Sequence, residues 1–308
     1  MPSTDAAADR EFLNLDSPTA KLLFSTVRME ICGLKHGGVA TAFVFSQEWE
    51  GRQAAFLVTN RHAVADAQSA RLYFTRSRDD RPALGEHVRL DLNQFGRIWH
   101  AHPRPEVNLA VTPLGPILCL LQEAGKRVFT SALDHSLLPP EDSPSAVGAM
   151  EDVLLVGYPA EVQDPAHVLP TMMKGITSSP FATQFAGQPK FMLQAPLYAG
   201  MGGSPVIALR SIHQATAQGV VIGSQLMLLG VLSEVAVRQD RAPAAYLPIP
   251  LAPPSVLATS NWAPFGLAVR SWTIREAVTD LLQKLEASAP MMANGQSVSS
   301  PGCREAAG

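Results

Sequence analysis

The chain is poor in cysteine and charge and has no long apolar run, and each shortage closes off a class of protein. Three cysteines in 308 residues, Cys32, Cys119 and Cys303, are too few and too irregularly spaced for a disulfide framework. No C-x-x-C pair marks a zinc site, so no metal is expected. Charged residues make up 17%, with 24 Lys and Arg against 27 Asp and Glu, a net charge of −3. Nucleic-acid-binding proteins carry a basic patch or stripe. Here the basic residues are scattered, and the one cluster, "RSRDDR" at 76–81, mixes signs as a solvated loop does. No uninterrupted apolar stretch reaches the length needed to cross a bilayer. The opening "MPSTDAAADREF" lacks the basic and apolar regions of a secretory leader. The expectation is a soluble, cytoplasmic protein without cofactor, nucleic-acid partner or membrane contact.

What is present is hydrophobic texture, 46% of the residues, enough for one large core or two smaller ones. Short runs rich in Val, Phe, Leu and Thr recur: "LLFSTVRMEI" (22–31), "GVATAFVFS" (38–46), "QAAFLVTN" (53–60), "ARLYFTR" (70–76), "HVRLDL" (87–92) and "NLAVTPL" (108–114). Polar or glycine-containing segments separate them, the pattern of an all-β sandwich or barrel. "PILCLLQEAGKRVF" reads as a short helix or loop, and "LLPPEDSPSAVGAM" as a proline-rich linker. A second series follows: "DVLLVGYP" (152–159), "MMKGITSS" (172–179), "PKFMLQAP" (189–196), "SPVIAL" (204–209), "LMLLGVLSEVAV" (226–237) and "FGLAVRS" (265–271). "TIREAVTDLLQKLEA" (273–287) has helical periodicity, with Thr273 as expected N-cap and Glu276 three residues on. The expected organisation is a tail over 1–19, a first β-barrel with linker over 20–150, a second barrel with helix over 151–287, and a tail over 288–308.

Three segments carry the chemistry. In "FLVTNRHAVADA" an apolar strand ends at Thr59, and His62 opens a turn of small residues. In "HPRPEVNLAVTPL" Asn108 stands at the mouth of a strand. "YAGMGGSPVIAL" (198–209) is a glycine-rich loop running into another strand. A lone histidine is most simply a satisfied core residue, but the three segments occur together and in order. Together they resemble the trypsin/chymotrypsin-like peptidase superfamily, above all its disulfide-poor bacterial members. The family sets a Ser or Thr three residues before its general-base histidine, as Thr59 precedes His62. It places an aspartate before a Leu/Val-Ala-Val strand, where this chain has Asn108. Its nucleophile loop reads Gly-x-Ser-Gly-Gly/Ser-Pro-Val/Leu, and residues 200–206 read G-M-G-G-S-P-V, departing only at Gly202. The resemblance spans roughly residues 20–286. It implies an all-β fold of two six-stranded antiparallel β-barrels, chymotrypsin-like, with a C-terminal helix and the site between the barrels.

The departures bear on activity, because fold and function are separate claims. In a Ser-His-Asp site the histidine takes the serine proton, and the acid fixes the histidine tautomer. Gly202 has no side chain, and Asn108 has no charge. Exchanging the acid for its amide in such an enzyme lowers turnover by about 10⁴. With two triad-equivalent positions changed, the resemblance implies a pseudopeptidase that binds a peptide or protein segment without cutting it. It also implies oxyanion-hole positions at the backbone N–H groups of Gly200 and Gly202, and substrate-binding roles for Gly200, Gly203 and Pro196. Pro196 stands where trypsin has an aspartate, which favours a small or apolar side chain in the ligand. Two other readings remain open. An active hydrolase would use His62 as base with Ser204 as alternative nucleophile, and Asp66 or Glu106 as substitute acid. A scaffold would use the fold for interaction alone. "WHAHP" (99–103), with His87, offers a metal set without a convincing third ligand, so a surface strand is expected there.

Overall fold

The computed structural model describes residues 14–15, 17–33, 37–143, 146–162, 164–216, 219–239, 242–252 and 262–293. The expected tails lie outside these residues over 1–13 and 294–308, as does Cys303. Pro18–Leu22 form a short helix, α1, and the last helix runs on to Ala293.

The first strand series forms one antiparallel-dominated sheet. Its strands are β1 (Thr26–Gly33), β2 (Gly37–Trp49), β3 (Arg52–Thr59), β4 (Ala67–Arg78), β5 (Arg81–Asn93), β6 (His100–Ala101) and β7 (Ala110–Pro113), with short β8 (Val128–Phe129) and β9 (Leu133–Asp134). The order is β5-β4-β1-β2-β3-β7-β6, with β8 on β4 and β9 on β2. The one-turn α2 (Arg61–Val64) follows β3, and α3 (Gly115–Glu123) follows β7, settling the helix-or-loop ambiguity in favour of helix.

The second series comprises β10 (Asp152–Gly157), β11 (Thr171–Thr177), β12 (Lys190–Gln194), β13 (Pro205–Thr216), β14 (Gly219–Gln239), β15 (Ala242–Pro248) and β16 (Trp262–Arg270). Its order is β13-β10-β11-β12-β16-β14-β15, and β13 also pairs with β14. That extra pairing closes six strands into an antiparallel barrel and leaves β15 outside the ring. The chain therefore has the expected all-β, chymotrypsin-like architecture and C-terminal helix, α4 (Trp272–Ala293); of the two six-stranded barrels expected, pairing among the described residues closes the second series, and the first is a nine-stranded sheet.

β2 shows how the apolar runs build this arrangement. Its residues alternate faces, as strand residues must. Ala40, Ala42 and Val44 enter the core of the first sheet, together with Met29, Leu72 and Leu114. Phe43 and Phe45 point the other way, into a cluster shared with Val156, Ile207, Leu228 and Val269 of the barrel. Ile274, Ala277, Val278 and Leu281 of α4 complete that shared cluster, so the helical stripe seals both sheets from one side. A third cluster, with Phe181, Phe191, Leu193 and Leu229, fills the barrel. Thr273 is not the N-cap: it lies inside the first turn, and its hydroxyl donates to the Arg270 carbonyl at 2.7 Å. No helix among the described residues is long and apolar enough to cross a membrane.

Candidate active site

Strand pairing brings the three sequence segments together. β3 pairs antiparallel with β7, Thr59 opposite Ala110, which sets His62 on α2 beside Asn108. β13 pairs with β14, Pro205 opposite Val231, which sets the 200–204 loop beside Ser233. Thr41 on β2 joins the halves: its N–H donates to Gly202 O at 3.1 Å, its hydroxyl donates to Gly200 O at 3.0 Å, and Tyr158 N–H donates to that hydroxyl at 3.0 Å. Gly200 is held at φ 86°, and a Cβ there would stand 2.5 Å from Tyr158 O, so this position takes only glycine.

The His62–Asn108 contact fixes the histidine's protons. The backbone N–H of His62 donates to Asn108 Oδ1 at 3.0 Å. A backbone N–H can only donate, so it turns the amide oxygen toward itself and the NH₂ toward the ring. Asn108 Nδ2 then donates to His62 Nδ1 at 2.8 Å and to Ser233 Oγ at 2.9 Å. With Nδ1 accepting, the proton of the neutral ring sits on Nε2, which donates to the carbonyl of Ile249 at 2.9 Å. A general base needs a free lone pair on Nε2; here that nitrogen is a donor. Burial pushes the His62 imidazole below its ordinary value of 6.5, although the Ile249 carbonyl pulls the other way. With Nδ1 an acceptor, the ring in this geometry is the neutral form.

Gly202 lies against the segment whose Ile249 carbonyl contacts the histidine. A Cβ built on it would be 3.1 Å from Asn60 Oδ1 and 3.4 Å from Ile249 Cβ. Ser204 is fully buried, and its Oγ packs against Gly157 without a hydrogen-bond partner among the described residues. Gly203 donates its N–H to Leu232 O at 2.9 Å. Asp66 and Glu106 are both exposed; Asp66 lines the same depression as His62, and Asn108, not Glu106, makes the contact to the ring. Pro196 is exposed and lines a different depression, with Lys174, Gly175, Gln194 and Pro264. Among the described residues no three His, Cys, Asp or Glu gather to hold a metal ion. His100 pairs with Asp280 at 2.6 Å, and buried His102 lies 3.2 Å from Glu276.

Two parts of the site were not anticipated. Ser233, inside the run "LLGVLSEVAV", is signalled only as half of a polar pair, with Glu234, amid apolar residues. The segment Pro248–Ala252, "PIPLA", reads as a proline-rich connection, yet it lies across the histidine.

The double-sheet fold thus gathers the histidine turn, Asn108 and the glycine-rich loop around one crossing segment. The sequence model of the trypsin-like peptidase domain matches residues 40–211, and the chain belongs to that family. Among solved structures it is similar to the Rv3671c protease of M. tuberculosis in an inactive form, at 15% identity over 86% of this chain and 93% of that one, TM-score 0.40. It is similar to an inactivated protease paralogue of the scabies mite, at 16% identity over 86% of this chain and 96% of that one, TM-score 0.43. It is also similar to a serine endoprotease from Yersinia pestis, at 16% identity over 84% and 65% respectively, TM-score 0.35. No curated protein matches the chain.

Proposed function

We propose that this trypsin-like peptidase domain is a pseudopeptidase that holds an extended peptide or protein segment in its cleft without hydrolysing it. The observation that carries this reading is the state of His62. Its Nδ1 accepts from an amide, its Nε2–H donates to a backbone carbonyl, and Gly202, at the position matching the family's nucleophile, has no hydroxyl to activate. General-base activation of a serine requires the opposite arrangement at both ring nitrogens. Ser204 gives the active reading no support, because its Oγ is enclosed against Gly157. The binding half of the proposal rests on backbone groups. Gly200 N–H, Ser233 C=O and Val39 N–H each hydrogen-bond the extended backbone of residues 249–251, which supports recognition by strand addition.

Labelling by a fluorophosphonate probe, with a peptide-hydrolysis assay alongside, tests the catalytic half. The native chain is expected to remain unlabelled. Labelling of the native chain that disappears in Ser204→Ala or His62→Ala would show a working hydrolase and end this reading.

A further inference from the structure

The groups that would receive a ligand's backbone are already in use, and the user is the chain itself. β15 adds to the free side of β14, Glu234 opposite Pro248 and Tyr246 opposite Ala236, beyond the ring of the closed barrel. The chain then leaves β15 and crosses the site in extended form. Ile249 N–H donates to Ser233 O at 3.1 Å, and Ile249 O accepts from His62 Nε2 at 2.9 Å. Pro250 O accepts from Gly200 N–H at 2.9 Å, and Leu251 O accepts from Val39 N–H at 2.8 Å. Three successive carbonyls are therefore taken by three different walls of the cleft.

The side chains are fitted as closely. Ile249 is fully buried in the barrel cluster with Met201 and Phe191, whereas Leu251 is buried in the first sheet's cluster with Val39's neighbours Ala40 and Ala42. Pro248 and Pro250 hold the backbone extended between these anchors, with φ fixed by their rings. The cleft is shaped to the segment. Gly38, at φ 147°, leaves room where a Cβ would come within 2.4 Å of Leu251 O. Gly202 leaves room where a side chain would meet Ile249. A depression of about 660 Å³, lined by Gly37, His62, Asp66 and the segment itself, remains open beside it. The crossing segment itself lies beyond the residues matched by the family model, which end at 211.

We infer that residues 248–252 are a built-in pseudosubstrate: they close the cleft, and their pattern, a branched apolar residue, proline, then leucine, is the pattern of the external segment the cleft accepts when they leave. The ligand assignment rests on the peptide-binding reading above; the closure does not. A tethered segment competes at an effective concentration of about millimolar, so an external peptide binds the native chain weakly.

The test uses the full chain and two variants, each first checked for a cooperative melt. Ile249→Ala/Leu251→Ala removes the anchors. Pro248→Gly/Pro250→Gly keeps the buried side chains and loosens only the backbone, and it serves if the first does not fold. Diethyl pyrocarbonate modification, mapped by mass spectrometry, reads His62 against exposed His135. Fluorescence polarisation reads binding of a labelled peptide of residues 245–254 and of its Ile249→Asp/Leu251→Asp counterpart. The expected result is His62 modified at least ten-fold more slowly than His135 in the native chain and at a comparable rate in a variant. The variant should also bind the peptide at least ten-fold more tightly than the native chain does and ignore the Asp counterpart. Native His62 reacting as fast as His135, or staying protected in both folded variants, would overturn the closure. His62 freed while neither chain binds the peptide would overturn the ligand assignment, and the peptide-binding reading with it, leaving the closure standing.

Discussion

One amide decides the chemistry of His62. Asn108 donates where an aspartate would accept, so the neutral ring keeps its proton on Nε2. A second proton would go to Nδ1, directly against the Asn108 NH₂ group. The sign of the pH dependence follows. The folded value of His62 lies below 6.5 because of burial, so its contribution to stability is complete above 6.5 and is lost as pH falls through the folded value. The nearby charges act in opposite directions, Glu234 raising the value and Arg61 lowering it. Asn108→Asp places a charged acceptor on Nδ1 and should raise the His62 value. The stability lost on acidification would then shrink, because the folded value moves back toward the unfolded one. Titration of the His62 ring by NMR checks this residue by residue. That matters because burial also depresses buried His102, which would contribute to any global melting curve. An unchanged or lowered His62 value in Asn108→Asp would contradict the assigned tautomer.

At the level of elements, legibility was uneven, and for physical reasons. The strands flanking the site are apolar on both faces or strictly alternating, and their ends carry His62, Asn108 and the 200–206 loop, so both element and residue could be read from local sequence. β15 could not. "APAAYLP" contains two prolines and three alanines, a composition that propensity assigns to a loop. It forms a strand because the outer side of β14 is open to it and because its prolines cost no ladder bond at an edge. The cap of α4 was misplaced for a similar reason: the Thr273 hydroxyl found a nearer carbonyl in the preceding turn. Another feature of this region is legible only in three dimensions. Lys190 on β12 and Glu234 on β14 meet at 2.5 Å across β16, both nearly buried. Removing one partner of such a pair strands the other charge, at a cost of about 3–5 kcal/mol. Lys190→Met should therefore lower stability by about that amount in denaturant unfolding, and Lys190→Met/Glu234→Leu should recover most of it. A single variant as stable as the native chain would mean that water reaches Glu234.

Across the whole molecule, the sequence predicted two strand series and one helix but not how they share a core. That depends on β2, whose alternate residues face the first sheet's interior and the cluster common to both halves. The composition allowed one large core or two smaller ones; the structure has a core in each half and a third between them, sealed by α4. The glycine-rich loop could be aligned from sequence. Its lack of a side chain at Gly202 reads there only as a loss. In the fold the same absence makes room for Ile249.

The two anchors of the crossing segment, Ile249 in one core and Leu251 in another, also order events in time. The segment seats only against both cores together, so its contacts are expected to form late in folding. Ile249→Ala should then accelerate unfolding in stopped-flow experiments while leaving the refolding rate nearly unchanged, the behaviour of contacts absent from the transition state. A chain that has just folded would hold its cleft open for a moment before closing it, and in that interval another segment could arrive first.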